Sequence, residues 1–331
     1  MSSAMPIAVI TPSHFQNSSQ PYYQILTSAG FEVRFSDNSV PMEQQQALIT
    51  QLQGADAVLA STEPYTDEIF GQLNLRIVSR AGVGYDSVDL KAATSHNVAV
   101  TITPGTVHHS VAEQALALLL GIYRNVVQRD RMVRAGGWER VSFPRLAGKT
   151  LGLIGLGVIG KCFAEKAKLL GLNVIAADPQ LTEEEANTLG VQLVTFDELL
   201  ETADIVSLHA PNIPATHHLM NASAFRKMKH DAVFLNTSRG PLVDEGALFE
   251  TLNSGKLMGA GLDVFEQEPP PIDHPLLTLE NVIVAPHMSG LDLQSEIDMA
   301  SNAAQNIVDL YQNSGLHPNI MNRDLPTDWA W

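Results

Sequence analysis

Thr150-Leu-Gly-Leu-Ile-Gly155-Leu-Gly157-Val158-Ile159-Gly160-Lys161, with Asn173-Val-Ile-Ala-Ala-Asp178 after it, decides how this chain folds. Leu151 to Ile154 is a short apolar run suited to a buried parallel strand, and Gly155 allows the tight turn that follows it. Gly157 lets backbone approach a pyrophosphate, and Gly160 lets the next helix pack closely on its strand. The N–H groups at that helix start would face the phosphates. Asp178 lies eighteen positions past Gly160, at the end of the next apolar run. A carboxylate there accepts from both ribose hydroxyls and repels a 2′-phosphate, so the site is expected to take NAD over NADP. Gly155 to Lys161 also fits the GxxxxGK spacing of a nucleotide-hydrolase loop, but the next residue, Cys162, has no hydroxyl for Mg²⁺. A Gly-rich turn serving only close packing would leave Asp178 unexplained.

Short apolar runs alternate with helix-competent stretches on both sides of this segment. Ile7–Ile10, Phe31–Phe35, Ala57–Ala60, Arg76–Ser79 and Val98–Val100 precede the glycine segment. Val174–Ala177, Ile205–Leu208, Val233–Leu235, Gly259–Val264 and Val282–Ala285 follow it. This alternation predicts an α/β chain of two doubly wound parallel-sheet units, only the second carrying the fingerprint. Ser110 is a candidate cap for an apolar helix over about Val111 to Tyr123, and a last helix is expected from about Gln294 to Gln312.

At 331 residues there is room for two domains, each with its own core. A formal charge of −16 without a basic patch argues against a nucleic-acid or anionic-membrane partner. No apolar stretch approaches the roughly 20 residues that span a bilayer, and Met1 to Ile10 lacks the basic region of a signal peptide. The lone Cys162 excludes an intrachain disulfide and fits a reducing cytoplasm.

Ligands of open α/β sheets lie at the carboxyl ends of the strands. Three such ends in the second unit carry chemistry: Asn236-Thr237-Ser238-Arg239-Gly240, Leu262-Asp263 leading to Glu268-Pro269, and Pro286-His287 leading to Gly290. A guanidinium can grip a carboxylate through paired hydrogen bonds. A histidine can exchange a hydroxyl proton near neutral pH, and an acid behind it fixes its tautomer. Each residue alone has a plain explanation: Arg239 as a loop salt bridge, Glu268 as a solvated acid, His287 as one of eleven histidines. Together, on the strand ends of a dinucleotide domain, they suit hydride chemistry on a 2-oxo or 2-hydroxy acid. His108-His109 and His217-His218 have the look of metal pairs, but adjacent side chains are expected to diverge, and no Cys/His cluster accompanies them.

The chain resembles the D-2-hydroxyacid dehydrogenase family, particularly its phosphoglycerate dehydrogenase-like members. The resemblance rests on Ser79-Arg80-Ala-Gly82-Val83-Gly84, Thr103-Pro-Gly105, Val111-Ala-Glu113, the glycine fingerprint, Ser207-Leu-His209-Ala-Pro211, Asn236 to Gly240, Gly261-Leu-Asp263-Val-Phe265 with Glu268-Pro269, and Pro286-His287. It implies a Rossmann NAD domain over 103–291 and a discontinuous, flavodoxin-like substrate domain over 1–102 and 292–331, with a hinged cleft. It further implies that Arg239 binds the substrate carboxyl, that His287 is the acid/base and that Glu268 is its partner. Arg80, Gly82, Val83 and Gly84 would contact the substrate. Cofactor contacts would come from Gly155, Gly157, Val158, Ile159, Gly160, Asp178, His209, Pro211, Thr216, Thr237, Ser238, Asp263, His287 and Gly290. A homodimer through the cofactor domain and a substrate such as 3-phosphoglycerate, hydroxypyruvate or glyoxylate are also implied. So is the alternative of an NAD(H)-sensing co-repressor on the same fold. The sequence departs from the family pattern at Val107 and at Met288-Ser289, and the loop Ala60-Ser-Thr-Glu63-Pro64 has no basic residue to grip a phosphate.

Overall fold

The computed structural model describes residues 5–37, 39–42, 44–312, 317–326 and 329–331. Contacts divide the chain into two units, Met1–Val107 with Asp292–Trp331, and His108–Leu291. In the first, β1 (Ile7–Ile10), β2 (Glu32–Phe35), β3 (Ala57–Ala60), β4 (Ile77–Arg80) and β5 (Ala99–Thr101) form a parallel sheet in the order β2-β1-β3-β4-β5. Every residue of β3 and β4 is buried, the polar Ser79 and Arg80 of β4 included, as strands covered on both faces should be.

The C-terminal segment belongs to this unit because its polar groups complete the unit's backbone bonding. The helix Leu293–Gln312 packs on the helix Pro21–Ser28 and on β4. Ser79 Oγ donates to Ala303 O at 2.8 Å, Asn306 Nδ2 to Ile102 O at 3.0 Å, and Trp329 Nε1 to Asn97 O at 2.9 Å. Phe31, Tyr311 and Trp331 pack as edge-to-face rings with centroids 5.0 to 5.6 Å apart.

In the second unit, β6 (Thr150–Ile154), β7 (Asn173–Ala177), β8 (Gln192–Leu193), β9 (Ile205–Leu208), β10 (Ala232–Asn236), β11 (Leu257–Leu262) and β12 (Val282–Val284) form one parallel sheet. The order is β12-β11-β10-β9-β6-β7-β8. Strand order reverses at β6, between β9 and β7, which is where a doubly wound sheet opens a ligand crevice. The three chemistry-bearing strands, β10, β11 and β12, are immediate neighbours, so their ends line up along one rim.

Two local expectations need correction. The apolar helix spans His108–Tyr123, and Ser110 is buried within its first turn instead of capping it. The edge strand β8 was not foreseen: two residues beginning with Gln192 carry no apolar periodicity. Among the described residues no helix is long and apolar enough to cross a membrane.

Candidate active site

The arginine is set by a turn that Asn236 builds. Its buried side chain accepts from Ser238 N at 3.0 Å and donates to Arg239 O at 2.8 Å, folding the chain back just past β10. Ser238 Oγ ties the turn to the neighbouring strand end through Ala210 O at 2.6 Å. Arg239 Nη1 donates to Ser238 O at 2.6 Å. Gly240 then lies flat on the Phe265–Glu266 peptide: a Cβ there would sit 1.9 Å from Phe265 C and O. The loop that carries the arginine and the loop that carries Glu268 are thus in backbone contact.

The histidine is held in a backbone conformation unusual for a side-chain-bearing residue, with φ at +51°. Asp263 supplies the restraint. Its carbonyl accepts from His287 N at 2.7 Å, and its carboxylate accepts from Met288 N at 3.0 Å, from Ser289 N at 2.9 Å and from Ser289 Oγ. Asp263 is buried at 1% exposure, so these local donors take the place of solvent. The cofactor contact expected of Asp263 must therefore compete with a carboxylate already engaged by the turn. Ser289, one of the departures from the family pattern, supplies two of those donors.

Glu268 reaches both its own loop and the imidazole. Oε1 accepts from Phe265 N at 2.9 Å, and Oε2 lies 2.6 Å from His287 Nδ1. Burial alone would raise the Glu268 pKa. The hydrogen bonds from His287 and Phe265 N, with the positive charges of His287 and Arg239, outweigh it and hold the carboxyl below its ordinary value. An ionised carboxylate only accepts, so Nδ1 carries the proton and Nε2 is left to work on a ligand.

The glycine fingerprint has the shape a dinucleotide needs. Gly155 takes φ +93° with its α-carbon against the His209 backbone, and Gly160 packs on Gly155 O, where a Cβ would come within 2.5 Å. A Cβ at Gly157, in contrast, would meet nothing within 4 Å. That open space adjoins the start of the helix Val158–Leu169, whose first-turn N–H groups receive no side-chain cap. Asp178 Oδ2 accepts from Leu156 N at 2.8 Å, bracing the glycine turn from β7, and Oδ1 accepts from Gln180 N at 2.9 Å. Thr237 Oγ1 is buried without a partner. An uncapped helix start, a cleared approach and an orphaned hydroxyl fit a pyrophosphate-containing cofactor.

The remaining expected contacts are more self-contained. Thr216 Oγ1 donates to Pro211 O at 2.7 Å, closing its own turn. The His209 ring packs on Phe163 and lies 3.0 Å from Ser207 Oγ, and burial pushes its pKa down to about 4, so it stays neutral. Val158 is exposed, and Ile159 and Gly290 are half-buried. In the first unit, Arg80 directs Nε and Nη2 onto Gly84 O at 3.0 and 2.8 Å, and Gly82 N already donates to Thr103 Oγ1 at 2.8 Å. The paired histidines do not diverge: the His108 and His109 ring centroids are 4.2 Å apart, and those of His217 and His218 are 4.1 Å apart. Adjacent rings on a helix start or a tight turn can lean together. Among the described residues no group of three His, Cys, Asp or Glu could hold a metal. Sequence reasoning overlooked Asn236 as the turn builder and Gly240 as the contact between loops; the Asn-x-x-Arg-Gly spacing was their one visible sign.

The family model described as D-isomer specific 2-hydroxyacid dehydrogenase, NAD binding domain, matches residues 116–289. A glyoxylate reductase of Korarchaeum cryptofilum is 39% identical over 289 residues, 85% of this chain and 87% of that protein. A D-3-phosphoglycerate dehydrogenase of Archaeoglobus fulgidus is also 39% identical, over 80% of this chain but 51% of its own length, so the chain spans about half of that relative. The crystal structure of the TT0316 protein from Thermus thermophilus superposes with a TM-score of 0.84 at 33% identity, covering 95% of this chain and 99% of that one. The chain belongs to the D-2-hydroxyacid dehydrogenase family. It is an NAD-dependent oxidoreductase acting between a 2-hydroxy and a 2-oxo acid.

Proposed function

We propose that this enzyme reduces small, unphosphorylated 2-oxo acids of the glyoxylate and hydroxypyruvate type. The observation that carries the reading is the 2.6 Å contact of His287 Nδ1 with Glu268, one strand away from the arginine loop. When bound, the nicotinamide supplies the hydride to the C2 carbonyl carbon. Arg239 holds the substrate carboxylate through its planar fork and leaves the carbonyl facing the histidine. His287 donates its Nε2 proton to the oxygen as charge builds there, and Glu268 holds the ring in place through Nδ1. Asn236 and Asp263 act through these groups by fixing the two turns. In oxidation the proton runs the other way, from the hydroxyl to Nε2.

The choice of an unphosphorylated substrate is supported by a relative of similar length, a glyoxylate reductase. Arg80, the one cation near the ends of β3 and β4 in the sequence, is engaged with Gly84 O, and Glu63 is buried there, accepting from Ser61 N at 2.6 Å. The first unit's one candidate for a phosphate contact is thus committed to its own loop.

We also propose a homodimer through the second unit. The helix Val126–Arg134 has no buried residue, and Val126, Val133, Trp138 and Val141 are 53, 47, 80 and 59% exposed. The unpaired Cys162 supports a reducing cytoplasm.

The test is NADH oxidation by the purified protein across glyoxylate, hydroxypyruvate, phosphohydroxypyruvate and pyruvate, followed by absorbance. Turnover of the unphosphorylated acids with higher kcat/KM than phosphohydroxypyruvate is expected. Preference for the phosphorylated acid contradicts the substrate reading, and NADH binding without turnover of any acid favours the cofactor-sensing alternative.

A further inference from the structure

Behind the catalytic residues lies a second set of ionisable groups that the chemistry above does not use. Glu245 opens the helix Glu245–Asn253, next to Asp244 at its cap. Its carboxylate is largely buried, with 13% of the side chain exposed. One oxygen accepts from Glu266 N at 2.9 Å, and the other lies 3.0 Å from His274 Nε2. The His274 ring in turn packs edge-on against Phe265, with centroids 5.6 Å apart. The Glu266 side chain pairs outward with His218 Nε2.

The amide that Glu245 holds is the one on which Gly240 rests. Phe265 C and O and Glu266 N, the atoms that crowd Gly240, form the peptide between the arginine loop and the acid loop. On one side of it, Phe265 N donates to Glu268 Oε1 and so sets the carboxylate that meets His287. On the other, Glu266 N donates to Glu245. A buried carboxylate accepting an amide proton makes a stronger bond than a neutral acceptor, and it leaves an orphaned N–H if removed.

We infer that Glu245 is a positioning residue: by clamping the Phe265–Glu266 peptide against Gly240 it fixes the distance between Arg239 and the Glu268–His287 pair. His274 orients the clamp. Its Nδ1 is buried without a partner, and an N–H there would be an unsatisfied buried donor, so the ring presents its proton at Nε2 to Glu245. Glu245 bonds to Glu266 N and lies against His274, so its effect on turnover runs through the loop. The inference rests on the dehydrogenase reading, and the wild-type enzyme checks that reading separately: if wild type fails to oxidise NADH with any 2-oxo acid, the functional reading fails before any variant is made.

With an active wild type, the test compares E245A and E245Q as full-length enzyme with NADH and glyoxylate. Releasing the clamp lets the loop shift, and misplacement by about 1 Å costs up to about 100-fold. E245A is therefore expected to lose at least about 10-fold in kcat, with NADH Kd unchanged because the glycine fingerprint sits on β6. The acid limb of its kcat/KM profile should move to higher pH, since a displaced Glu268 loses the bonds that lower its pKa. E245Q keeps an amide oxygen for Glu266 N and should recover most of kcat and the wild-type acid limb. H274A leaves the Glu266 contact in place and should fall between the two; it carries the test if E245A does not fold. Wild-type kcat and an unmoved acid limb in E245A overturn the inference, as does E245Q as impaired as E245A, or, where E245A cannot be made, H274A with wild-type kcat.

Discussion

Gly240→Ala is the sharpest perturbation of the arrangement that joins the arginine to the acid/base pair. An added Cβ would lie 1.9 Å from the Phe265 carbonyl carbon and oxygen and 2.3 Å from Glu266 N, whereas ordinary contact begins at 3.4 Å. The obstacle is backbone on both sides, not the end of a flexible side chain, so the two loops must part by about 1.5 Å. Overpacking of this kind costs about 1–3 kcal/mol, which leaves a protein of ordinary stability, about 5–15 kcal/mol, folded. Catalysis suffers more: a misplacement of about 1 Å is enough for about a 100-fold loss, so kcat/KM for NADH-dependent glyoxylate reduction should fall by about 100-fold or more. Steady-state absorbance gives kcat/KM, and NADH fluorescence titration and a melting curve separate chemistry from binding and folding. NADH affinity should fall much less than kcat/KM, because Gly155, Gly157 and Gly160 lie beyond β10 and β9 in the sheet, although Thr237 is close to the parted loops. A variant within threefold of wild type in kcat/KM would refute the reasoning, since the loops would then not depend on their contact at Gly240.

Asp178→Ser should raise the ratio of NADPH to NADH kcat/KM by about 10-fold or more, because a hydrogen bond to a charged group is worth about 1.5–3 kcal/mol and its repulsion of a 2′-phosphate vanishes. A wild type that already prefers NADPH in a two-cofactor assay would contradict the role given to this acid. Asp204 provides a stability prediction. Burial opposes its ionisation, but Thr150 N at 2.9 Å, Lys229 at 2.9 Å and Lys149 at 3.5 Å outweigh that and lower its pKa. A lowered folded pKa stabilises fully above the unfolded value of about 3.9 and is lost as pH falls through the folded one. Denaturant unfolding should therefore show D204N less stable than wild type at pH 7, with the gap starting to shrink below about pH 4 and closing as Asp204 protonates in the folded state; a gap that keeps its pH 7 size as the pH falls would show that the charge is not its source.

The strands of both sheets were legible because parallel strands buried on both faces leave continuous apolar runs, as Ala57–Ala60 and Ile205–Leu208 do. The strand-end chemistry was legible for a related reason: Arg239, Glu268 and His287 each lie in the loop after such a run, and the sheet order places those runs side by side. Edge strand β8 left no apolar signal, and the start of the helix His108–Tyr123 was misplaced because Ser110 is as good a cap in sequence as it is a buried first-turn residue in the fold. What the sequence could not reveal is which partner a buried acid chooses. Asp263 spends its oxygens on Met288 and Ser289, and Glu245 on Glu266 N and His274, through contacts between residues 21 to 29 positions apart. Periodicity and spacing hold no record of such pairings.

Single-turnover reduction of glyoxylate by preformed enzyme–NADH complex, wild type against His287→Ala, tests the acid/base assignment most directly. NADH disappearance is followed at saturating acid, so that binding drops out. The account predicts a rate constant lower by at least about 100-fold, the lower end for a lost general acid, with NADH affinity retained. A variant that transfers hydride at the wild-type rate would contradict it.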